Sequence, residues 1–179
     1  MFIHIPRTGG TALRAHYGWS SYQQHKPIAA HIVDGTDWVD RDTFTIVRNP
    51  FDRLVSLCGF EHRERLKREN RRLTAADFTA WLERDRRQPG GAVPILYAGT
   101  AFAIHVCAPM VDFVCVEGEL MVDQVYHFEG WGGPAWPFDC PRLNESAREK
   151  EYRSYYHHDA REIAEDLYRQ DLETFNYEF

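Results

Sequence analysis

Apolar positions along this chain come in short pleated runs separated by stretches with a three-to-four residue rhythm. Residues 2–5 are a brief apolar run of Phe and Ile, suited to a strand, and Pro6 ends it because proline has no N–H for a ladder. Residues 11–17 continue as a helix with Ala12, Leu13 and Tyr17 inward, and residues 18–27 lack any period and predict a loop. Residues 27–33 are apolar and predict a second strand with His31 near its end. Asp34, Gly35, Thr36 and Asp37 then supply turn chemistry. Residues 44–47 predict a third strand that ends at Arg48. Asn49-Pro50 is a helix start, since Asn caps well and Pro suits the first helical position. That helix turns Leu54, Val55, Leu57 and Cys58 inward and runs into the charged stretch 61–72.

Further on, Thr74 and Asp77 have the spacing of a capping box, followed by Phe78, Trp81 and Leu82 at helical spacing. Residues 87–109 are rich in Gly and Pro and predict loop with one short helix, a place for a substrate-facing lid. Residues 111–116 predict a fourth, central strand, and residues 117–128 a helix with Leu120, Val125 and Phe128 inward. Residues 129–145, rich in Gly, Pro and Trp, predict a long loop. Ala160, Ile163, Ala164, Leu167, Tyr168, Leu172 and Phe175 predict one closing amphipathic helix. Strands alternating with helices imply an α/β fold around a mainly parallel sheet covered on both faces.

Composition narrows the function classes. A chain of 179 residues suits one domain with one core, expected over residues 1–179. A formal charge of −6 argues against nucleic acid as the main partner. No apolar run approaches the roughly 18 residues that cross a bilayer. The N-terminus begins as a strand without the basic and apolar regions of a leader, so a cytoplasmic protein without a membrane partner is expected. Cys58, Cys107, Cys115 and Cys140 form no Cys-x-x-Cys pair, which argues against zinc. Cys58 and Cys115 sit in apolar segments and read as small core residues. His157-His158-Asp159 reads as a helix entry, not as a metal site. The Arg-rich stretch 63–72 reads as a solvated face, with a docking face for an anionic acceptor as the sharper alternative.

The chemistry concentrates in two stretches. In residues 2–13 a strand feeds Arg7-Thr8-Gly9-Gly10-Thr11 and then a helix, with Thr8 or Thr11 as its cap. Glycines permit a positive φ and close backbone approach, while the helix start offers amides and a positive dipole end to an anion. Arg7 adds a permanent planar cation. In residues 47–56 a second cation, Arg48, stands at the carboxyl end of a strand just before a helix, with Ser56 eight residues on. Ligands of open α/β sheets collect at such strand ends.

Ile-Pro-Arg-Thr-Gly-Gly-Thr resembles the 5′-phosphosulfate loop of sulfotransferases that use 3′-phosphoadenosine 5′-phosphosulfate, in particular the carbohydrate sulfotransferases and their bacterial relatives. Val-Arg-Asn-Pro-Phe-Asp-Arg-Leu-Val-Ser resembles their 3′-phosphate motif, and Leu143-Asn144-Glu145-Ser146 with Tyr152-Arg153-Ser154-Tyr155-Tyr156 is similar to the tail of small members. Residues 60–110 match poorly. The resemblance implies a P-loop-like three-layer αβα fold and transfer of a sulfuryl group to a hydroxyl or amine of a carbohydrate or small-molecule acceptor, with no metal. It places Arg7, Thr8, Gly9, Gly10 and Thr11 on the 5′-phosphosulfate, and Arg48 and Ser56 on the 3′-phosphate. Arg153, or the stretch 148–150, would close over the nucleotide. The family usually has Lys where this chain has Arg7. Arg stays protonated, so it stabilises leaving-group charge without giving up a proton. His31 is the first candidate for general base, titrating near neutrality when free and matching in approximate position a base of the glycan enzymes. Glu117 is the second, and His4 reads as structural. Two alternatives remain: a domain of the same fold that binds nucleotide or a partner without catalysis, and a P-loop kinase, which the missing Gly-Lys-Ser/Thr disfavours.

Overall fold

The computed structural model describes residues 1–19, 25–35, 41–86, 94–96, 103–143 and 148–179. In chain order its elements are β1 (Phe2–Ile3), α1 (Gly10–Tyr17), α2 (Ile28–Val33), β2 (Phe44–Val47), α3 (Pro50–Glu61), α4 (Arg63–Arg68), α5 (Ala75–Arg86), β3 (Pro94–Leu96), β4 (Ala103–His105), α6 (Val111–Val114), β5 (Cys115–Val116), β6 (Glu119–Leu120), β7 (Gln124–His127), α7 (His158–Leu167) and α8 (Arg169–Phe175). The chain is α/β, with a small parallel sheet of three strands in the order β1-β2-β7. Its contacts gather into two compact units: Met1–Arg48 with Pro94–Asn144, and Asn49–Val93 with Glu145–Phe179. No helix among the described residues is long and apolar enough to cross a membrane.

In the first unit β2 is the middle strand. Phe2 and Ile3 pair with Phe44 and Thr45, and residues 44–47 pair with Gln124–His127. Asp123 locks the register by accepting from both the amide and the hydroxyl of Thr43, at 2.7 Å each, while Thr43 Oγ1 accepts from the Asp123 amide at 3.0 Å. The period-two pleat puts Phe2, Phe44, Ile46 and Tyr126 on one face. There they pack with Leu13 of α1 and with Phe128, Trp131, Trp136, Phe138 and Cys140 from the segment after β7. The opposite face, with Ile3, Thr45 and Val47, is fully buried. Burial on both faces is what a parallel sheet requires.

Four predicted stretches of this unit are different in the structure. Residues 27–33 form the helix α2, not a strand. A six-residue apolar run has no period that separates strand from helix, and Ala29 and Ala30 favour the helix once Pro27 precedes it. Residues 111–116 split into the helical turn α6 and the first strand of a β5–β6 hairpin. Residues 117–128 hold no helix: Glu117 and Gly118 both adopt positive φ, 53° and 85°, the pattern of a two-residue hairpin turn. The third parallel strand is instead β7, where Val125 and Tyr126 suit a pleat. Within residues 87–109, β3 and β4 pair antiparallel where a loop with a short helix was expected. Residues 87–93 and 97–102 of the expected lid lie outside the described residues, as do Thr36 and Asp37 of the turn.

The second unit is helical. Asn49 Oδ1 accepts from the Phe51 amide at 3.0 Å and Pro50 is the first helical residue, as the sequence requires. Leu54, Val55, Leu57 and Cys58 are buried. Burial pushes the Cys58 thiol far above its ordinary value, so it is a packing residue. Cys115, by contrast, is half-buried in β5 of the first unit. The charged stretch holds α4, and its arginines are paired within this unit: Arg65 and Arg71 meet Asp77, Arg71 also meets Glu69, and Arg72 meets Glu149. These pairings favour the solvated face over an anion-docking face. The closing helix is broken at Tyr168, whose φ of −117° and ψ of 21° separate α7 from α8. Ala160, Ala164, Tyr168 and Phe175 are buried, and Leu167 is exposed.

Asp77 is the hub of the cap. Its carboxylate accepts from the amide and hydroxyl of Thr74 at 3.1 and 2.7 Å, and Thr74 Oγ1 accepts from the Asp77 amide at 3.2 Å. Bidentate pairing with Arg71 holds the carboxyl well below the usual carboxylate range. Asp77→Ala is expected to cost about 1–2 kcal/mol at neutral pH, the range of a lost N-terminal cap. A depressed carboxyl stabilises above its unfolded value of 3.8 and loses that contribution as pH falls below it. The gap between wild type and variant in urea denaturation should therefore shrink from pH 7 to pH 2.

Candidate functional site

The glycine loop lies at the end of β1. Arg7 sits at φ 67°, in the left-handed region, and Gly9 at φ 92°. Thr8 is fully buried, and its hydroxyl donates to the Ile5 carbonyl at 2.9 Å, closing the turn beneath the loop. Thr8 therefore does not cap α1, and neither does the exposed Thr11. The cap position is Gly9, which has no side chain to supply a capping oxygen. A helix start capped by glycine leaves its first amides open to an oxygen from elsewhere, an anion's included.

Both glycines are needed, for separate reasons. A Cβ on Gly9 would lie 2.3 Å from the Trp131 ring and 3.2 Å from the Phe128 ring, in a backbone conformation that side chains resist. A Cβ on Gly10 would lie 2.1 Å from the His4 ring. His4 is the packing residue that the sequence suggests. It is 5% exposed, and its ring lies tilted against that of His25 at 4.2 Å between ring centres. Burial, then His25 and Arg14, hold it neutral.

Arg48 reaches this loop. Its guanidinium donates through Nη1 to the Arg7 carbonyl at 3.0 Å and lies 4.3 Å from the centre of the Phe128 ring. The left-handed turn at Arg7 thus presents its carbonyl to the guanidinium of the second strand end. Arg48 is 7% exposed, and its amide meets the Met110 sulfur at 3.5 Å. Met110 opens α6, and α6 packs on α2, which carries His31.

His31 is 3% exposed, and its Nδ1 has no hydrogen-bond partner among the described residues. Burial, then the ammonium of Lys26, lower its pKa to about 4, against an opposing pull from Asp34. Lys26 and Asp34 form an ion pair that bridges the two ends of α2. The imidazole is therefore neutral at pH 7, in the protonation state a base needs. Glu117 is exposed on the β5–β6 turn. Ser56 and Arg153 belong to the second unit. Ser56 is fully buried in α3. Arg153 is half-exposed, pairs with Glu151 at 3.3 Å and lies 4.7 Å from the Tyr152 ring. Arg148, from the same tail, is engaged in the same unit by Asp52. Of the tail motif, Asn144, Glu145 and Ser146 lie outside the described residues.

The sequence did not single out Phe128, Trp131, Met110 or Arg142 for the site. The only available signal was the aromatic density of residues 128–138, which reads equally as a covered sheet face. His158, Asp159 and Glu162 hold ligand atoms within 4.8 Å of one another, all exposed at the start of α7. The helix dipole favours the two acids there and disfavours a cation.

Family models, curated proteins and solved structures give no match to this chain.

Proposed function

We propose that the chain binds 3′-phosphoadenosine 5′-phosphosulfate and transfers its sulfuryl group to a hydroxyl or amine of a carbohydrate or small-molecule acceptor, within a P-loop-like three-layer αβα fold. The observation that carries this reading is the 3.0 Å bond from the Arg48 guanidinium to the Arg7 carbonyl, which brings the second cationic strand end to the glycine loop. The donor carries two anionic groups, and one arginine in the loop with a second reaching its backbone suits it better than a single phosphate. In this reading the amides of residues 9–11 and the Arg7 guanidinium take the 5′-phosphosulfate, and Arg48 takes the 3′-phosphate.

The reaction breaks the bond from sulfur to the oxygen it shares with phosphorus and forms a bond from sulfur to the acceptor oxygen. The acceptor proton goes to His31, and the electron pair of the broken bond stays on the leaving 5′-phosphate. Such transfers depend on in-line placement and on charge stabilisation, as phosphoryl transfer does. Arg7 stabilises the leaving charge through paired hydrogen bonds while remaining protonated. A loop that binds nucleotide without turnover is the second reading, favoured by Arg7 standing where the family usually has Lys.

Two measurements separate these readings. Thermal shift with adenosine 3′,5′-bisphosphate should exceed that with ATP and magnesium, whereas the reverse order would point to a kinase. Transfer of labelled sulfate to a panel of sugars and small hydroxyl compounds should give labelled product, and binding without any transfer would leave only the non-catalytic reading.

A further inference from the structure

Phe128 holds more than one cation. Arg48 lies 4.3 Å from its ring centre, and Arg142, from the segment after the aromatic cluster, lies 5.0 Å from the same centre. The ring also stands 3.2 Å from where a Cβ on Gly9 would be, so it touches the glycine loop itself. Trp131 stands beside Phe128 at the same face of Gly9, and its indole N–H donates to the Cys140 carbonyl at 3.2 Å, which ties the stretch of chain leading to Arg142 onto this wall.

Arg142 is exposed, and among the described residues no carboxylate pairs with it. Among the described residues Arg65, Arg71, Arg72, Arg84, Arg148 and Arg161, by contrast, form ion pairs. Two guanidinium groups brought to one ring repel each other. The quadrupole of the ring offsets part of that, and an anion between them offsets more. In a chain of net charge −6, this is a local concentration of positive charge beside the glycine loop.

We propose that Arg142 is a third cation of the anion site and that Phe128 is the positioning residue that holds Arg48 and Arg142 toward it. The ligand class is a phosphate or sulfate ester. Its identification as the bisphosphorylated nucleotide rests on the function proposed above, whereas the anion site itself does not. Arg142 reads charge count: it adds affinity for ligands with two anionic groups and little for those with one.

The test is calorimetric titration of wild type, Arg142→Ala, Phe128→Leu and Phe128→Tyr with adenosine 3′,5′-bisphosphate, adenosine 5′-monophosphate and inorganic pyrophosphate, each at two salt concentrations. Arg142→Ala should weaken bisphosphate and pyrophosphate about tenfold, change the monophosphate less than threefold, and flatten the salt dependence, with an unchanged melting temperature. Phe128→Leu should weaken the same two ligands, and Phe128→Tyr should restore them, since a phenol ring keeps the π-face. Arg142→Ala affinities within twofold of wild type for both ligands would overturn the proposal. Wild type that binds pyrophosphate through Arg142 but not the bisphosphate would uphold the anion site and sink the nucleotide reading. Wild type that binds neither would overturn both.

Discussion

Arg48→Ala is expected to lower affinity for adenosine 3′,5′-bisphosphate by about 30-fold or more. Removing one partner of a buried, hydrogen-bonded charge pair costs at least about 2 kcal/mol, and each 1.4 kcal/mol or so is tenfold. Arg48 is 7% exposed, so water screens its interaction with a phosphate poorly. The same side chain also fastens the Arg7 carbonyl, and its loss loosens the loop. Two comparisons separate the effects. Arg48→Lys keeps the charge and loses the planar fork, so its affinity should fall between wild type and the alanine variant. Adenosine 5′-monophosphate, which lacks the 3′-phosphate, should lose much less than the bisphosphate in the alanine variant. Equal losses for both nucleotides would mean that Arg48 acts only through the loop.

His31→Ala should reduce sulfuryl transfer by about a hundredfold while leaving bisphosphate affinity unchanged. General base catalysis contributes roughly 10²- to 10⁴-fold, and a base with a pKa of about 4 has weak driving force, which places it at the low end. The pH profile distinguishes this role from packing. Wild-type turnover should fall as pH drops through about 4, not through 6.5, and that limb should vanish in the variant. Stability has its own sign. Between pH 6.5 and 4 the unfolded chain protonates His31 and the folded chain does not, so wild-type stability declines as pH falls across that window. His4, also held neutral by burial, adds to the decline. Normal transfer by His31→Ala would reassign the base.

What could be read from the sequence was local. Asn49-Pro50 and Thr74 with Asp77 announce helix starts because the capping atoms lie within three residues of the amides they serve. The strand at residues 44–47, the two glycines and Arg48 were legible for the same reason. Residues 111–128 were not. Leu120, Val125 and Phe128 mimic a helical stripe, but positive φ at Glu117 and Gly118 turns the chain into a hairpin, and pairing with β2 makes β7 a strand. Such pairing is set by a partner some eighty residues away, which local propensity does not register. The break at Tyr168 was hidden similarly, since its ring is buried on the expected face while the backbone departs from the helix. At the site, Arg7 and Arg48 stood out as cations at strand ends. Arg142 did not, because only the fold brings it to the ring of Phe128.

The most direct measurement is a crystal structure of the chain with adenosine 3′,5′-bisphosphate. The 5′-phosphate is expected on the amides of residues 9–11 beside Arg7, with the 3′-phosphate in hydrogen-bond reach of Arg48. A nucleotide bound away from this loop, or with both phosphates turned from the two arginines, would contradict it.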